Sequence, residues 1–243
     1  MIQLPPSETY ERELEYMPYR KSLERVTDIV CAQTPNDGDI LDLMCGPGFL
    51  LRQIRARRKN LGILWGTDIE PSYISYASSN DRLSYFDTED ALLWPTTGRR
   101  WDVVLCTGAL HHISYERQEE MIERMSHLVA PDGFAIISDC YADDYNNEQE
   151  RKIAAAKLGY EYLVETIKNG APEDVVKATA DILTNDVMGL EFKTSLHKRM
   201  QQFQKHFRTV EIEQTWPIQR KLNLAERNTN KLGYGDYIAL LRR

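Results

Sequence analysis

The sequence predicts an open α/β fold with a parallel sheet, preceded by one helical segment and interrupted late by another. Three observations predict it. Five short apolar runs alternate with helical patterns between residues 40 and 140. The first run ends in a Gly46-Pro47-Gly48 turn and the second ends in an acid, Asp68. From residue 146 to 206 no strand candidate occurs at all. Strands alternating with helices demand right-handed crossovers and hence parallel pairing.

Residues 7–34 read as amphipathic helices broken near Met17-Pro18, since proline cannot continue a helix from within. The first part carries Tyr10, Tyr16 and Tyr19 with Arg12 and Arg20 among them. Tyrosine offers apolar area with one polar tip, so these residues suit a lid over a small-molecule pocket as well as an ordinary half-buried helix. The first strand is the short apolar run that starts at Ile40 and ends in an acid, closed by the glycine turn, where a missing Cβ lets backbone approach a ligand. Phe49 to Lys59 is a crossover helix whose basic end suits the helix dipole and a solvated face better than nucleic acid. The second strand is read as 61–67, its helix as 71–79 and the third strand as 83–86.

Trp101–Thr107 is a fourth strand, apolar enough to be buried on both faces. A helix over 117–129 and a fifth strand over 134–139 follow. Helices at about 148–168, 172–185 and 195–206 fill the strandless stretch, which is too long for a plain crossover and reads as an inserted cap. Pro172 fits a first helical turn and Asn169-Gly170 a helix end. The sixth strand is 209–214 and the seventh 237–241. The expected parts are therefore a lid over residues 1–36, a core over 37–145, a cap over 146–206, and strands six and seven over 207–243.

The 243 residues carry a formal net charge of −7, which argues against a general nucleic-acid footprint. No apolar run reaches the length of a membrane span, and Met1-Ile2-Gln3-Leu4-Pro5-Pro6 lacks the basic and apolar regions of a secretion signal, so a cytoplasmic location is expected. Cys31, Cys45, Cys106 and Cys140 stand singly with no Cys-x-x-Cys pair, so they are expected to be reduced and structural, and no metal site is expected.

Four motifs then occur in one order. Asp42-Leu43-Met44-Cys45-Gly46-Pro47-Gly48 resembles the first motif of class I S-adenosylmethionine-dependent methyltransferases, with Met44 in place of the usual first glycine. Phe86-Asp87-Thr88-Glu89-Asp90 resembles that family's third-strand motif, and Thr107-Gly108-Ala109-Leu110-His111-His112-Ile113 its fourth-strand motif. Leu128-Val129-Ala130-Pro131-Asp132-Gly133-Phe134 is similar to the turn before its fifth strand. The resemblance implies a single Rossmann-like domain with a seven-stranded, mostly parallel sheet whose strand seven is antiparallel, and S-adenosyl-L-methionine as cofactor. The cap and the tail Lys231–Leu241 are loosely similar to a subgroup that includes carboxy-S-adenosylmethionine synthase.

In such a fold, ligands bind at the carboxyl ends of the strands. The resemblance implies Asp42 for the methionine amino group, Gly46 and Gly48 for the turn under the adenosyl part, and Asp68 for the ribose hydroxyls. It further implies Ile69 against adenine, Asp87 and Thr88 at the adenine edge, and Thr107 and Gly108 at the methionyl end. Arg20 is the candidate partner for a carboxylate, because its fork grips one bidentately. His111 and His112 are candidates for a general base or for pocket packing. Asp139, Cys140 and Tyr141 close the fifth strand, a place for substrate contacts. Tyr10, Tyr16 and Tyr19 approach from the lid, and Tyr160, Tyr162, Asn185 and Lys193 from the cap.

Three functions are compatible with these residues. The leading expectation is methyl transfer to a small-molecule acceptor, an amine, hydroxyl or acidic carbon. The alternative is a cyclase in which the cofactor's own amine attacks its γ-carbon, giving azetidine-2-carboxylate and methylthioadenosine, because known azetidine-forming enzymes adopt this fold. The third is a binding protein that has lost activity, for which Met44 is the best argument. Neither a nucleic acid nor a membrane partner is expected. Leu158, Leu163 and Ile167 leave a homodimer through the cap open.

Overall fold

The computed structural model describes residues 6–217, 220–221 and 233–243. Helices α1 (Ser7–Leu14) and α2 (Tyr19–Gln33) precede the sheet. Strands β1 (Ile40–Leu43), β2 (Leu64–Asp68), β3 (Tyr85–Thr88) and β4 (Trp101–Thr107) alternate with α3 (Phe49–Arg57) and α4 (Pro71–Asn80). A 3₁₀ turn (Leu110–His112) leads into α5 (Tyr115–Leu128) and β5 (Val129–Tyr141). Helices α6 (Glu148–Lys168), α7 (Glu173–Met188) and α8 (Leu196–His206) precede β6 (Thr209–Trp216), the two-residue β7 (Arg220–Lys221) and β8 (Gly235–Arg242).

The sheet order is β3-β2-β1-β4-β5-β8-β6-β7. Strands β1 to β5 pair in parallel, while β8 runs antiparallel between β5 and β6. The seven longer strands are those expected, with the two-residue β7 added on the edge of β6. The winding reverses between β1 and β4, so a crevice opens at their carboxyl ends. Strand β1 is buried along its whole length and β4 nearly so, as their continuous apolar runs require. One face is covered by α2 and α3 through Leu23, Val26, Leu51 and Ile54. The other is covered by α5 and α8 through Met121, Met125, Met200 and Phe203.

Several boundaries move. Strand β2 starts at Leu64 because Gly62 and Ile63 are taken up in the entry turn, where Ile63 N–H donates to Asp39 Oδ1 at 2.7 Å. Strand β3 begins two residues late because Leu83 N–H is captured by Asp81 Oδ1 at 3.0 Å. Strand β5 begins at Val129 rather than 134, with residues 130–133 bowing out between the pairs Trp101↔Val129 and Val103↔Phe134. Helix α7 runs to Met188, where Gly189 at φ 74° ends it. Helix α8 packs against α5 and β6, so it belongs to the core layer, and α6 with α7 forms the part that rises above the crevice. The break between α1 and α2 falls where Pro18 stands. The four cysteines are free. Among the described residues, no helix is long and apolar enough to cross a membrane. Residues 1–5 of the expected lid, and Lys231 and Leu232 of the tail, lie outside the described residues.

Candidate active site

A cavity of about 660 Å³ lies over the crevice, with α1 on one side and α6 and α7 above. Its floor is the loop after β1. Met44, Gly46 and Gly48 there have φ of 60°, 54° and 76°. A left-handed conformation costs a non-glycine residue roughly 1–2 kcal/mol, so Met44 keeps the turn of the glycine it replaces under strain, while its side chain packs on the core and borders the cavity. Gly48 has no such latitude: an added Cβ would lie 2.9 Å from Ala77 Cβ and 3.0 Å from Phe86 Cε1. Gly46 faces the cavity, with the Tyr10 ring 4.0 Å from where a Cβ would stand.

Asp68 is fixed beside this loop. Its Oδ2 accepts from Gly46 N–H at 2.8 Å and its Oδ1 from Glu70 N–H at 2.9 Å. Burial lifts its carboxyl above the ordinary value, and these two donors hold it back. Asp42 lies beneath, 1% exposed, with Oδ1 free of any hydrogen bond. Burial and the neighbouring Asp68 push it up to about 7. Across the crevice, Gly108 at φ 62° lets the Tyr19 ring settle against backbone, since a Cβ would be 2.9 Å from that ring.

The opposite end of the cavity is built from charged side chains. His111 Nδ1 lies 2.6 Å from Asp139 Oδ1, and His111 N–H donates to Asp139 Oδ2 at 3.2 Å. Asp139 Oδ1 also accepts from Cys140 N–H at 2.9 Å. Burial raises Asp139, but the charge and hydrogen bond of His111 outweigh it and hold the carboxyl below its ordinary value. His111 is the reciprocal case: burial lowers it, and Asp139 more than restores it. His112, its ring 4.2 Å from that of His111, is driven down to about 4 by burial and by His111.

Beyond them, Glu191 Oε2 lies 3.6 Å from His111 Nε2 and accepts from Lys193 Nζ at 2.7 Å. Lys193 also donates to both oxygens of Asp186 at 2.6 Å. Glu191 is raised by burial, but Lys193 and His111 bring it down to about 2. Donor atoms of His111, His112 and Glu191 lie within 4.8 Å of one another, as do those of His111, Asp139 and Cys140. Each set contains a carboxylate already matched by a resident partner, Lys193 for Glu191 and His111 for Asp139.

Residues 40–133 match the family model described as a methyltransferase domain. An uncharacterized methyltransferase of Oceanobacillus iheyensis is 24% identical over 153 residues, which are 62% of this chain and 70% of that protein. The fold is shared with the plantazolicin methyltransferase BpumL in complex with S-adenosylhomocysteine (TM-score 0.65, 13% identity, 97% of this chain and 89% of that one). It is also shared with magnesium protoporphyrin IX methyltransferase from Synechocystis PCC 6803 with bound S-adenosylmethionine (TM-score 0.55, 14% identity, 93% and 80%). Residues 40–133 thus match a methyltransferase domain, and nearly the whole chain shares the fold of these two methyltransferases. S-adenosylmethionine is bound in the Synechocystis protein. The open Gly46 and the positioned Asp68 carboxylate fit that group.

Of the residues a methyltransferase reading singles out, the cavity collects Tyr10, Tyr19, Gly46, Asp68, Ile69, Thr107, Gly108, His111, His112 and Asp139. Tyr162, Asn185 and Lys193 border it from the cap side. Others stand elsewhere. Arg20 faces solvent and pairs with Glu24 at 2.9 Å, one turn along α2, because the helix turns its neighbour Tyr19 inward instead. Tyr16 falls in the α1–α2 turn outside the cavity, where its carbonyl accepts from Asn169. Tyr141 does not line the cavity and packs on Tyr237 within the core under α5 and α8. Asp87 accepts from Trp65 Nε1 at 3.1 Å, and both it and Thr88 are exposed and do not line the cavity. Tyr160 is exposed on α6. Gly48 and Asp42 support the floor from below without lining it.

Sequence reading missed Glu13, Tyr73, Asp186 and Glu191, which also line the cavity. Glu13 had a signal, since it shares a helix face with Tyr10 and Met17 at spacings of three and four. Asp186 and Glu191 had none, because only the fold brings them to His111.

Proposed function

We propose that this protein transfers a methyl group from S-adenosylmethionine to a small acceptor enclosed between α1, α6 and α7, with His111 as general base. The supporting observation is that the loop held by Asp68 and the His111–Asp139 pair open into one cavity. The cofactor supplies an activated methyl group on a positively charged sulfur. The protein's task is then alignment, which holds acceptor and methyl group in line and converts a bimolecular step into one within the complex. Asp68 and Gly46 orient the cofactor end.

At the acceptor end, Asp139 accepts from His111 Nδ1–H. That fixes the tautomer and leaves the Nε2 lone pair on the side of Glu191 and the cavity. His111 takes the acceptor's proton as the methyl group arrives, and S-adenosylhomocysteine leaves. His112, neutral at physiological pH, lies against the His111 ring and shapes the wall. The largely apolar, tyrosine-lined cavity between α1, α6 and α7 supports a small molecule rather than a polymer as acceptor.

The test is incubation of purified protein with S-adenosylmethionine, with and without pools of small acceptors, with products read by mass spectrometry. S-adenosylhomocysteine that depends on an acceptor supports the proposal. Methylthioadenosine with a matching four-carbon amino acid in the absence of any acceptor would overturn it in favour of intramolecular cyclisation.

A further inference from the structure

Glu13 sits on the cavity face of α1, one turn from Tyr10 and one from Met17, and is 5% exposed. Its Oε1 is buried with no hydrogen-bond partner. Burial pushes its carboxyl up to about 7, and the adjacent Arg12 only partly offsets that, because Arg12 reaches outward to Asp174 of α7. An orphaned buried carboxylate is costly, by roughly 1–3 kcal/mol or more for a charged group. A lid that keeps one on its inner face is built for something that enters.

The charges around the cavity say what kind of group that is. Glu13, Asp68, Asp139, Asp181, Asp186 and Glu191 all border it. Among the described residues that line it, Lys193 is the one lysine or arginine, and its ammonium is already shared between Asp186 and Glu191. A carboxylate or phosphate entering the cavity meets no unshared cation there. A positively charged donor meets several acceptors, one of them unsatisfied, and the faces of Tyr10 and Tyr73, whose rings lie 5.9 Å apart beside the Asp68 end.

We propose that Glu13 receives an ammonium group inside the cavity and thereby ties closure of the lid to a cationic occupant. The proposal rests on the methyltransferase reading for the place of the cavity in the reaction, not for the role of Glu13. Two sources carry this chemistry, the amino-acid half of the cofactor and an amine acceptor. Calorimetry and turnover separate them.

The experiment compares wild type with Glu13→Gln, titrating S-adenosylhomocysteine, which carries the ammonium, and methylthioadenosine, which lacks it. If Glu13 holds the cofactor's ammonium, Glu13→Gln weakens S-adenosylhomocysteine by about tenfold or more and leaves methylthioadenosine unchanged. If it holds the acceptor's, both titrations are unchanged. Turnover with the fraction of an acceptor pool retained by a cation exchanger then falls by about tenfold or more in kcat/KM. Either result supports the proposal.

It is overturned if neither binding nor turnover changes, or if both titrations are unchanged and the productive acceptors come from the anionic fraction. If no fraction yields S-adenosylhomocysteine, the methyltransferase reading fails, while the paired titrations still decide the role of Glu13. Removing an orphaned carboxylate should leave the melting temperature at pH 8 equal or higher, and Glu13→Asp should restore part of the lost binding. A drop in melting temperature together with lost binding, with no rescue by Glu13→Asp, would make Glu13 a structural residue and sink the proposal.

Discussion

The two ends of the cavity are made by different physics. At the end proposed for the cofactor, the chain holds itself with backbone: three left-handed residues in one turn, and a carboxylate fixed by two backbone N–H groups. At the end proposed for the acceptor, side chains from four separate segments meet: His111 after β4, Asp139 in β5, Asp186 in α7, and Glu191 and Lys193 in the following loop. The first end is rigid and local in sequence. The second is an electrostatic network of buried groups, each dependent on its neighbours for its charge.

If the ends are separable, the largest effect belongs to the network. His111→Gln is expected to lower kcat by about 10²- to 10⁴-fold and to leave S-adenosylhomocysteine binding within a factor of two or so, which calorimetry and steady-state assays measure side by side. Loss of binding in parallel would break the division.

Next in size is the pH dependence of the unliganded protein. Folding pushes Asp42 from 3.8 up to about 7, Glu13 from 4.5 to about 7 and Asp236 from 3.8 to about 8, in each case chiefly through burial. His111 is raised as well, with Asp139 outweighing burial. The folded state therefore binds more protons than the unfolded chain through the window from pH 6.5 to 8.5, and stability falls as pH rises there. The depressed His112, at about 4, acts in the opposite sense but only below that window, between its folded value and its ordinary one. Thermal melts should show a falling melting temperature from pH 6.5 to 8.5, with a shallower fall in Asp42→Asn. A flat or rising profile would mean that these acids are paired in solution.

The smallest effect sharpens the account of the lid. Arg20→Ala should change stability by no more than about 0.5 kcal/mol and leave cofactor binding intact, because Arg20 is exposed and its one ion pair is at the surface. A large loss of affinity in that variant would return Arg20 to the cavity and change the lid's position.

This contrast also explains what could be read from the sequence. The succession of strands and the glycine turn were legible because apolar runs and glycine spacing are local, and Asp68 follows the turn by one helix and one strand. The register of β3 was less so. Asp81 captures Leu83 N–H and delays the strand, and Asp87 accepts from Trp65 and does not line the cavity. Arg20 failed for a similar reason, since one helical residue separates an inward ring from an outward guanidinium. Asp186 and Glu191 left no pattern, because a buried ion network gathers residues that neither period nor motif links. His111 and Asp139 were legible as strand-end residues, but their pairing was not.

The measurement that tests the central claim most directly is calorimetric titration of S-adenosylhomocysteine into wild type, Asp68→Asn and Asp139→Asn. Loss of the Asp68 charge should weaken binding by about tenfold or more, while Asp139→Asn, at the far end of the same cavity, should bind as wild type does and fail only in turnover. Equal affinity for all three, or equal loss in both variants, would contradict a cavity with a cofactor end and a separate acceptor end.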